Sequence, residues 1–193
     1  MQYGPMQDKI VAAGSVLPDE QVELSAEASG RITTIHFTEG ATVNKGELLV
    51  SINNADLQAQ LSRNAYLVQL AKEREERQRI LFEREAISQQ EYDQVLTELN
   101  ALKAEADLLQ AQLDKTLIRA PFDGILGLRL LSEGSFVSPG TKIVKLARIK
   151  PVKIDFSVPE RYASFVQKGT NISFQVENQT GNLNATVYAI EPM

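Results

Sequence analysis

The chain has no cysteine, no tryptophan and a single histidine, and only 6% of its 193 residues are aromatic. Each scarcity removes a class of function. Without cysteine there is no disulfide and no thiolate metal site, a composition compatible with an oxidising compartment. The one histidine, His36, lies in the apolar stretch TTIHFTEG, with no second histidine at ligand spacing, and the three methionines, Met1, Met6 and Met193, are scattered at the chain ends. No Ser/His/Asp arrangement and no glycine-rich phosphate loop accompanies it, so the reading is no enzyme, no catalytic residue, no metal and no cofactor. Basic residues are outnumbered, 20 Lys and Arg against 25 Asp and Glu for a net charge of -5, and no Lys/Arg patch interleaves with aromatics. That argues against a nucleic-acid surface. No apolar run approaches the roughly 20 residues that span a bilayer. The start, MQYGPMQDKI, lacks the positive-then-apolar plan of a signal peptide, so an exported protein would contain this chain as a trimmed piece.

With 43% hydrophobic residues but few bulky rings, the chain suits one or two domains with thin cores better than one large round core. Its organisation is a split repeat. AEASGRITTIHFTEGATVNKGELLVSI, Ala26 to Ile52, returns as APFDGILGLRLLSEGSFVSPGTKIVKL, Ala120 to Leu146. At a constant offset of 94, the difference between Gly124 and Gly30, the pairs Ala26/Ala120, Gly30/Gly124, Glu39/Glu133, Gly40/Gly134, Val43/Val137, Gly46/Gly140 and Val50/Val144 coincide. Each copy alternates β-branched and apolar residues with Gly-containing turns, which predicts short strands joined by tight hairpins. Two copies packed face to face would bury each other's apolar sides, at about 1.5 to 3 kcal/mol per fully buried Val, Leu or Ile.

Between the copies the pattern turns helical. Asn53 and Asn54 offer N-cap oxygens, and from Ala55 no Gly or Pro occurs until Pro121. Tyr92, Val95, Leu99, Leu102, Ala106, Leu109 and Leu113 alternate steps of three and four, the seam of a coiled coil. Leu57, Leu61, Val68 and Ala71 begin a partner seam that turns polar through KEREERQR. Two helices of about 28 to 32 residues, each about 42 to 48 Å long, would fold into a narrow antiparallel hairpin. Its tip falls near Glu85 to Gln90, where Ser88 and Glu91 spell a capping box, SQQE. Its base, near Asn53 and Thr116, is where it is expected to hinge.

Two glycine-punctuated β copies flanking a helical hairpin, with the re-entry segment TLIRAPFDGIL (Thr116 to Leu126), resemble the periplasmic adaptors, or membrane fusion proteins, of tripartite efflux pumps. PVKIDFSVPERYASFVQKGTNISFQVE, Pro151 to Glu177, resembles the opening of that family's β-barrel domain. The fold class implied is α+β and elongated: a lipoyl-like barrel-sandwich hybrid split by an antiparallel α-helical coiled-coil hairpin, plus a partial β-barrel domain. The domains implied are 1–20 as a strand region of the β-barrel domain, 21–53 and 118–148 as the two lipoyl-like halves, 54–117 as the hairpin, and 149–193 as a truncated barrel. The family's tip motif of Arg, three residues, Leu, six residues and Ser falls on Arg77, Leu81 and Ser88, which the resemblance implicates in binding a TolC-like outer-membrane channel. It further implies an inner-membrane efflux transporter as partner, self-association into a trimeric or hexameric ring, and a periplasmic location with an inner-membrane anchor that this chain does not contain.

Three rivals are weighed against this. A lipoyl or biotinyl carrier domain shares the β fold but needs a lysine on the turn joining its halves. Here the hairpin replaces that turn, SINNADL has no lysine, and Lys45 belongs to a different turn. A free-standing coiled-coil scaffold leaves the β repeat unexplained. Adaptors of type I secretion or ABC-type efflux are nearer alternatives; the short hairpin and the IDFSVPERY segment favour the resistance-nodulation-division (RND) type.

Overall fold

The computed structural model describes residues 10–176 and 181–191. Residues 1–9 of the expected N-terminal strand region, with Met1 and Met6, lie outside the described residues, as do 177–180 and 192–193, with Met193. The chain forms two compact units, Pro18–Pro151 and the pair of segments Met1–Leu17 and Val152–Met193.

In the larger unit the strands are β1 (Gly14–Ser25), β2 (Gly30–Ile35), β3 (Thr42–Val43) and β4 (Leu48–Ile52) before the helices α1 (Ala55–Glu83) and α2 (Gln89–Asp114). They are followed by β5 (Leu117–Arg119), β6 (Gly124–Leu126), β7 (Phe136–Val137) and β8 (Lys142–Phe156); β1 begins and β8 ends in the smaller unit. Two four-stranded sheets result, ordered β1-β8-β6-β3 and β5-β4-β2-β7.

The repeats do not simply face each other as the sequence suggests; they exchange strands. β3 of the first copy pairs with β6 of the second, Val43 opposite Gly124, and β7 of the second pairs with β2 of the first, Val137 opposite Gly30. These two contacts map onto each other at the repeat offset. The loop bonds follow: Gly46 N–H donates to Ala120 C=O at 2.7 Å, and Gly140 N–H donates to Ala26 C=O at 2.9 Å. Both glycines are left-handed, φ 83° and 88°, as the turn reading requires. The turns are not hairpins, however. The chain leaves one sheet after β2, lends β3 to the other and returns as β4 beside β2. A two-residue strand cannot bury its own apolar side, and exchange solves this by building each sheet from both copies.

The core lies between the sheets, with Ile32, Val43, Leu49, Val50, Ile52, Leu126, Val137, Ile143, Val144 and Leu146 fully buried. Gly124 is required by space: a Cβ there would lie 2.7 Å from the Ala147 carbonyl oxygen on β8.

The smaller unit has a 3-10 turn, Glu160–Phe165, entered through Pro159, and an antiparallel pair of strands, β9 (Asn171–Phe174) and β10 (Leu183–Thr186). Among the described residues of this unit Val187 is the buried apolar one, and its N–H donates to the Thr170 carbonyl.

Candidate functional site

The candidate site is the helical hairpin. Its helices have 29 and 26 residues and rise about 44 and 39 Å at 1.5 Å per residue. All seven predicted seam residues of α2 are shielded, with Leu99 and Leu109 buried and the other five half-buried. On α1 the seam continues past the point where the sequence turns polar. Leu57, Leu61, Asn64, Val68, Ala71, Glu75, Gln78 and Phe82, spaced in alternating steps of four and three, are its buried or half-buried positions. Three of the eight are polar.

Those polar positions set the character of the arm. Asn64 is 4% exposed and its Oδ1 has no hydrogen-bond partner; the same is true of Gln78 Oε1. An unsatisfied buried polar atom costs about 1 to 3 kcal/mol, and polar seam residues are known to hold coiled-coil register at that expense. Glu75 is satisfied: its Oε1 accepts from the Tyr92 hydroxyl at 2.7 Å. That bond, together with burial, pushes the Tyr92 phenol above its ordinary pKa. The Tyr92 ring stacks on Phe82 with centroids 5.1 Å apart and planes 7° from parallel. Counting the three-four step through KEREERQR is the signal that finds Glu75, Gln78 and Phe82 in the sequence. Arg74 reaches across to Glu98 at 3.4 Å, with both side chains about half exposed.

At the base, Asn54 stands at the N-cap position but does not cap with its side chain. Its Nδ2 donates to Thr116 Oγ1 at 2.9 Å and its Oδ1 accepts from Gln58 Nε2 at 2.9 Å, so it is already engaged. Asn53 Oδ1 accepts from the Ala55 N–H instead, at 3.3 Å. Thr116, expected at a hinge, is buried and braced: its hydroxyl donates to Leu113 C=O at 2.6 Å and its carbonyl accepts from Ile52 N–H at 2.9 Å. The hairpin is joined to the β core by a cross-braced base.

The tip is built from two linked terminators. Glu85 is the only non-glycine residue with positive φ (57°) among the described residues. Its N–H donates to Phe82 C=O at 2.9 Å and the Ala86 N–H donates to Leu81 C=O at 2.8 Å, the paired bonds of a Schellman motif closing α1. Three residues on, Ser88 caps α2. Its Oγ accepts from Glu91 N–H at 3.2 Å, while Glu91 Oε2 accepts from the Ser88 N–H at 2.8 Å and from the Ser88 hydroxyl at 2.9 Å. This is the capping box expected from SQQE. The Ser88 amide and hydroxyl hold the Glu91 carboxyl below the ordinary range, against a smaller opposing effect of burial.

The three motif residues thus stand in different local settings. Arg77 and Leu81, one turn apart on α1, are both exposed, Leu81 by 40%. Ser88 lies beyond the turn with its one donor and one of its two acceptor sites already used by the capping box, leaving a single lone pair for any partner. Lys45 sits on the turn between β3 and β4, where its backbone N–H donates to Asp123 Oδ1 at 2.6 Å, and not at the junction of the β halves. Among the described residues no group of three or more His, Asp or Glu could hold a metal, and no helix is long and apolar enough to cross a membrane.

A lipoyl-like β domain whose two halves exchange strands, and whose connecting turn has been replaced by an antiparallel helical hairpin, defines a non-enzymatic adaptor of the membrane fusion type. The chain belongs to the RND branch of that family: residues 20–147 match the family described as RND MFP, barrel-sandwich hybrid domain. It is 31% identical over 175 residues to multidrug resistance protein MdtA of Proteus mirabilis, a match covering 81% of this chain and 42% of that one. It is 30% identical over 186 residues to an uncharacterised protein of Haemophilus influenzae, covering 95% and 48%. Among solved structures, a MacA-MexA chimera containing the α-hairpin domain of Pseudomonas aeruginosa MexA superposes with a TM-score of 0.87 at 26% identity, covering 96% of this chain and 68% of that one. The chain spans about half the length, or less, of these curated relatives.

Proposed function

We propose that the chain is part of a periplasmic adaptor that links an inner-membrane efflux transporter to a TolC-like outer-membrane channel and supports export of small molecules. Arg77, Leu81 and Ser88 meet the channel's helical end. The observation that carries this is the exposure of Arg77 and Leu81 beside the Schellman turn, at the end of helices about 40 Å long and opposite the braced base. Arg77 supplies a planar fork for carbonyls or carboxylates, Leu81 a knob for a groove between helices, and Ser88 one acceptor. The names of the relatives, which speak of multidrug resistance, support a small-molecule cargo. In this reading the full-length protein is anchored at the inner membrane, its barrel domain includes the segments around β9 and β10, and several copies assemble side by side into a ring.

The test is made in the full-length protein with Arg77→Asp and Ser88→Arg. Both variants are expected to lose cross-linking to the channel and drug efflux while keeping wild-type helical content by circular dichroism. Retention of both activities in both variants refutes the tip assignment.

A further inference from the structure

Burial along the arm is uneven. In the part nearest the β core the α1 seam is Leu57, Leu61, Asn64, Val68 and Ala71, and the buried residues of the two helices, Asn64 and Ala71 on α1 and Leu99 and Leu109 on α2, reach no further out than Ala71 and Leu99. Past them the seam is Glu75, Gln78 and Phe82 on α1 and Tyr92, Val95 and Leu96 on α2, all half-buried. Two of those three α1 positions are polar. Glu75 brings a carboxylate into the seam, and Gln78 brings an acceptor, Oε1, without a partner. Half-buried apolar side chains stabilise less than buried ones, and an unpartnered acceptor subtracts from what they contribute. The outer seam is therefore the weaker one.

The polar ties across it are Arg74 to Glu98 and Tyr92 to Glu75. The first is 3.4 Å long between side chains about half exposed, and an ion pair so placed contributes little. The second is 2.7 Å long, charge-assisted and part-buried. Tyr92 also stacks on Phe82, so one residue of α2 holds both a carboxylate and a ring of α1. The Schellman bonds and the capping box lie within residues 81–91 and travel with the tip; they do not tie it to the inner part. The base, where the sequence predicts a hinge, is by contrast braced through Asn54, Gln58 and Thr116.

We propose that the outer part of the arm, residues 72–98, opens as one local unfolding unit while the inner part stays closed, with Tyr92 as its latch on Glu75 and Phe82. The unit carries Arg77, Leu81 and Ser88, so a partner that binds the closed tip holds the whole unit closed. The proposal concerns the arm alone and is the same whatever that partner is.

The test is native-state hydrogen exchange of the full chain, read at the Ile80 and Val95 amides of the outer part and the Val68 and Leu109 amides of the inner part. Ile80 and Val95 are expected to share one opening constant, larger than that of the inner amides by about tenfold or more. Tyr92→Phe keeps the ring stack and removes the bond to Glu75, and should speed exchange at both outer amides about fivefold. Gln78→Leu removes the unpartnered acceptor and should slow both about fivefold. Neither variant should move the inner amides. Rates that rise steadily toward the tip, with no shared constant, mean simple fraying and overturn the proposal. Outer and inner amides that share one constant and shift together mean that the arm opens whole, and overturn it too. If Tyr92→Phe leaves Ile80 and Val95 unchanged, Tyr92 is not the latch and the proposal fails.

Discussion

Glu85 occupies the left-handed position that closes α1, and substitution there separates backbone strain from charge. A non-glycine residue at φ 57° bears about 1 to 2 kcal/mol of steric cost relative to glycine. Glycine returns about 0.5 to 1 kcal/mol of that through the greater freedom of the unfolded chain. Removing a carboxylate from the negative end of the helix dipole adds about 0.3 kcal/mol or somewhat more. Glu85→Gly should therefore stabilise the closed tip by about 1 kcal/mol, and Glu85→Ala, which loses the charge but keeps the strain, by a few tenths. Glu85→Pro should open the tip, because proline holds φ near -65° and has no N–H to donate to the Phe82 carbonyl. Native-state hydrogen exchange at the Ala86 amide, which bonds the Leu81 carbonyl, reads the local opening. Exchange should slow about fivefold in Glu85→Gly and change little in Glu85→Ala. If Ala86 exchanges as fast in the glycine variant as in the alanine variant, strain at Glu85 does not limit the tip.

Three further outcomes are expected. The Glu91 carboxyl has a lowered folded pKa, so the capping box contributes its stability above the ordinary carboxylate value and loses it as pH falls through the lowered one. Hydrogen exchange in the first turn of α2 should accelerate in acid, and Ser88→Ala, costing about 1 kcal/mol at neutral pH, should flatten that pH dependence. For Tyr92 the sign is opposite. Its raised phenol pKa makes the bond to Glu75 contribute below the ordinary tyrosine value and disappear as pH rises through the raised one, so Tyr92→Phe should remove from an ultraviolet titration a phenol that titrates above the ordinary tyrosine value. Gly124→Ala should destabilise the β core by about 1 to 3 kcal/mol in urea unfolding, because its methyl would press on the Ala147 carbonyl.

How much of the site was legible depended on whether a residue's type announced its place. The leucine seam of α2 was readable because leucine at three-four spacing is shielded in either register of an antiparallel pair. Asn64, Glu75 and Gln78 were not announced by their type, because polar residues on a helix are ordinarily solvated; only their three-four spacing marks them, and the partner helix laid over them makes them seam residues. The capping box of Ser88 and Glu91 was readable because both its bonds span three residues. The capping role expected of Asn54 failed because its Oδ1, the atom that would cap, accepts from Gln58 Nε2 while its Nδ2 donates to Thr116 across the base.

By itself the sequence determined what local chemistry decides: the glycine turns, the two helices, the point between them where the chain reverses, and a β unit present twice at an offset of 94. Tertiary structure alone decided which strand pairs with which. Val43 opposite Gly124 and Val137 opposite Gly30 join segments about one hairpin apart in the chain, and a two-residue strand carries too little information to name its partner. It also decided which polar residues are closed inside the arm and which apolar ones, Tyr66, Leu67 and Leu70, are left facing outward. Burial is a property of what packs over a residue, and on this hairpin the covering surface is the other helix.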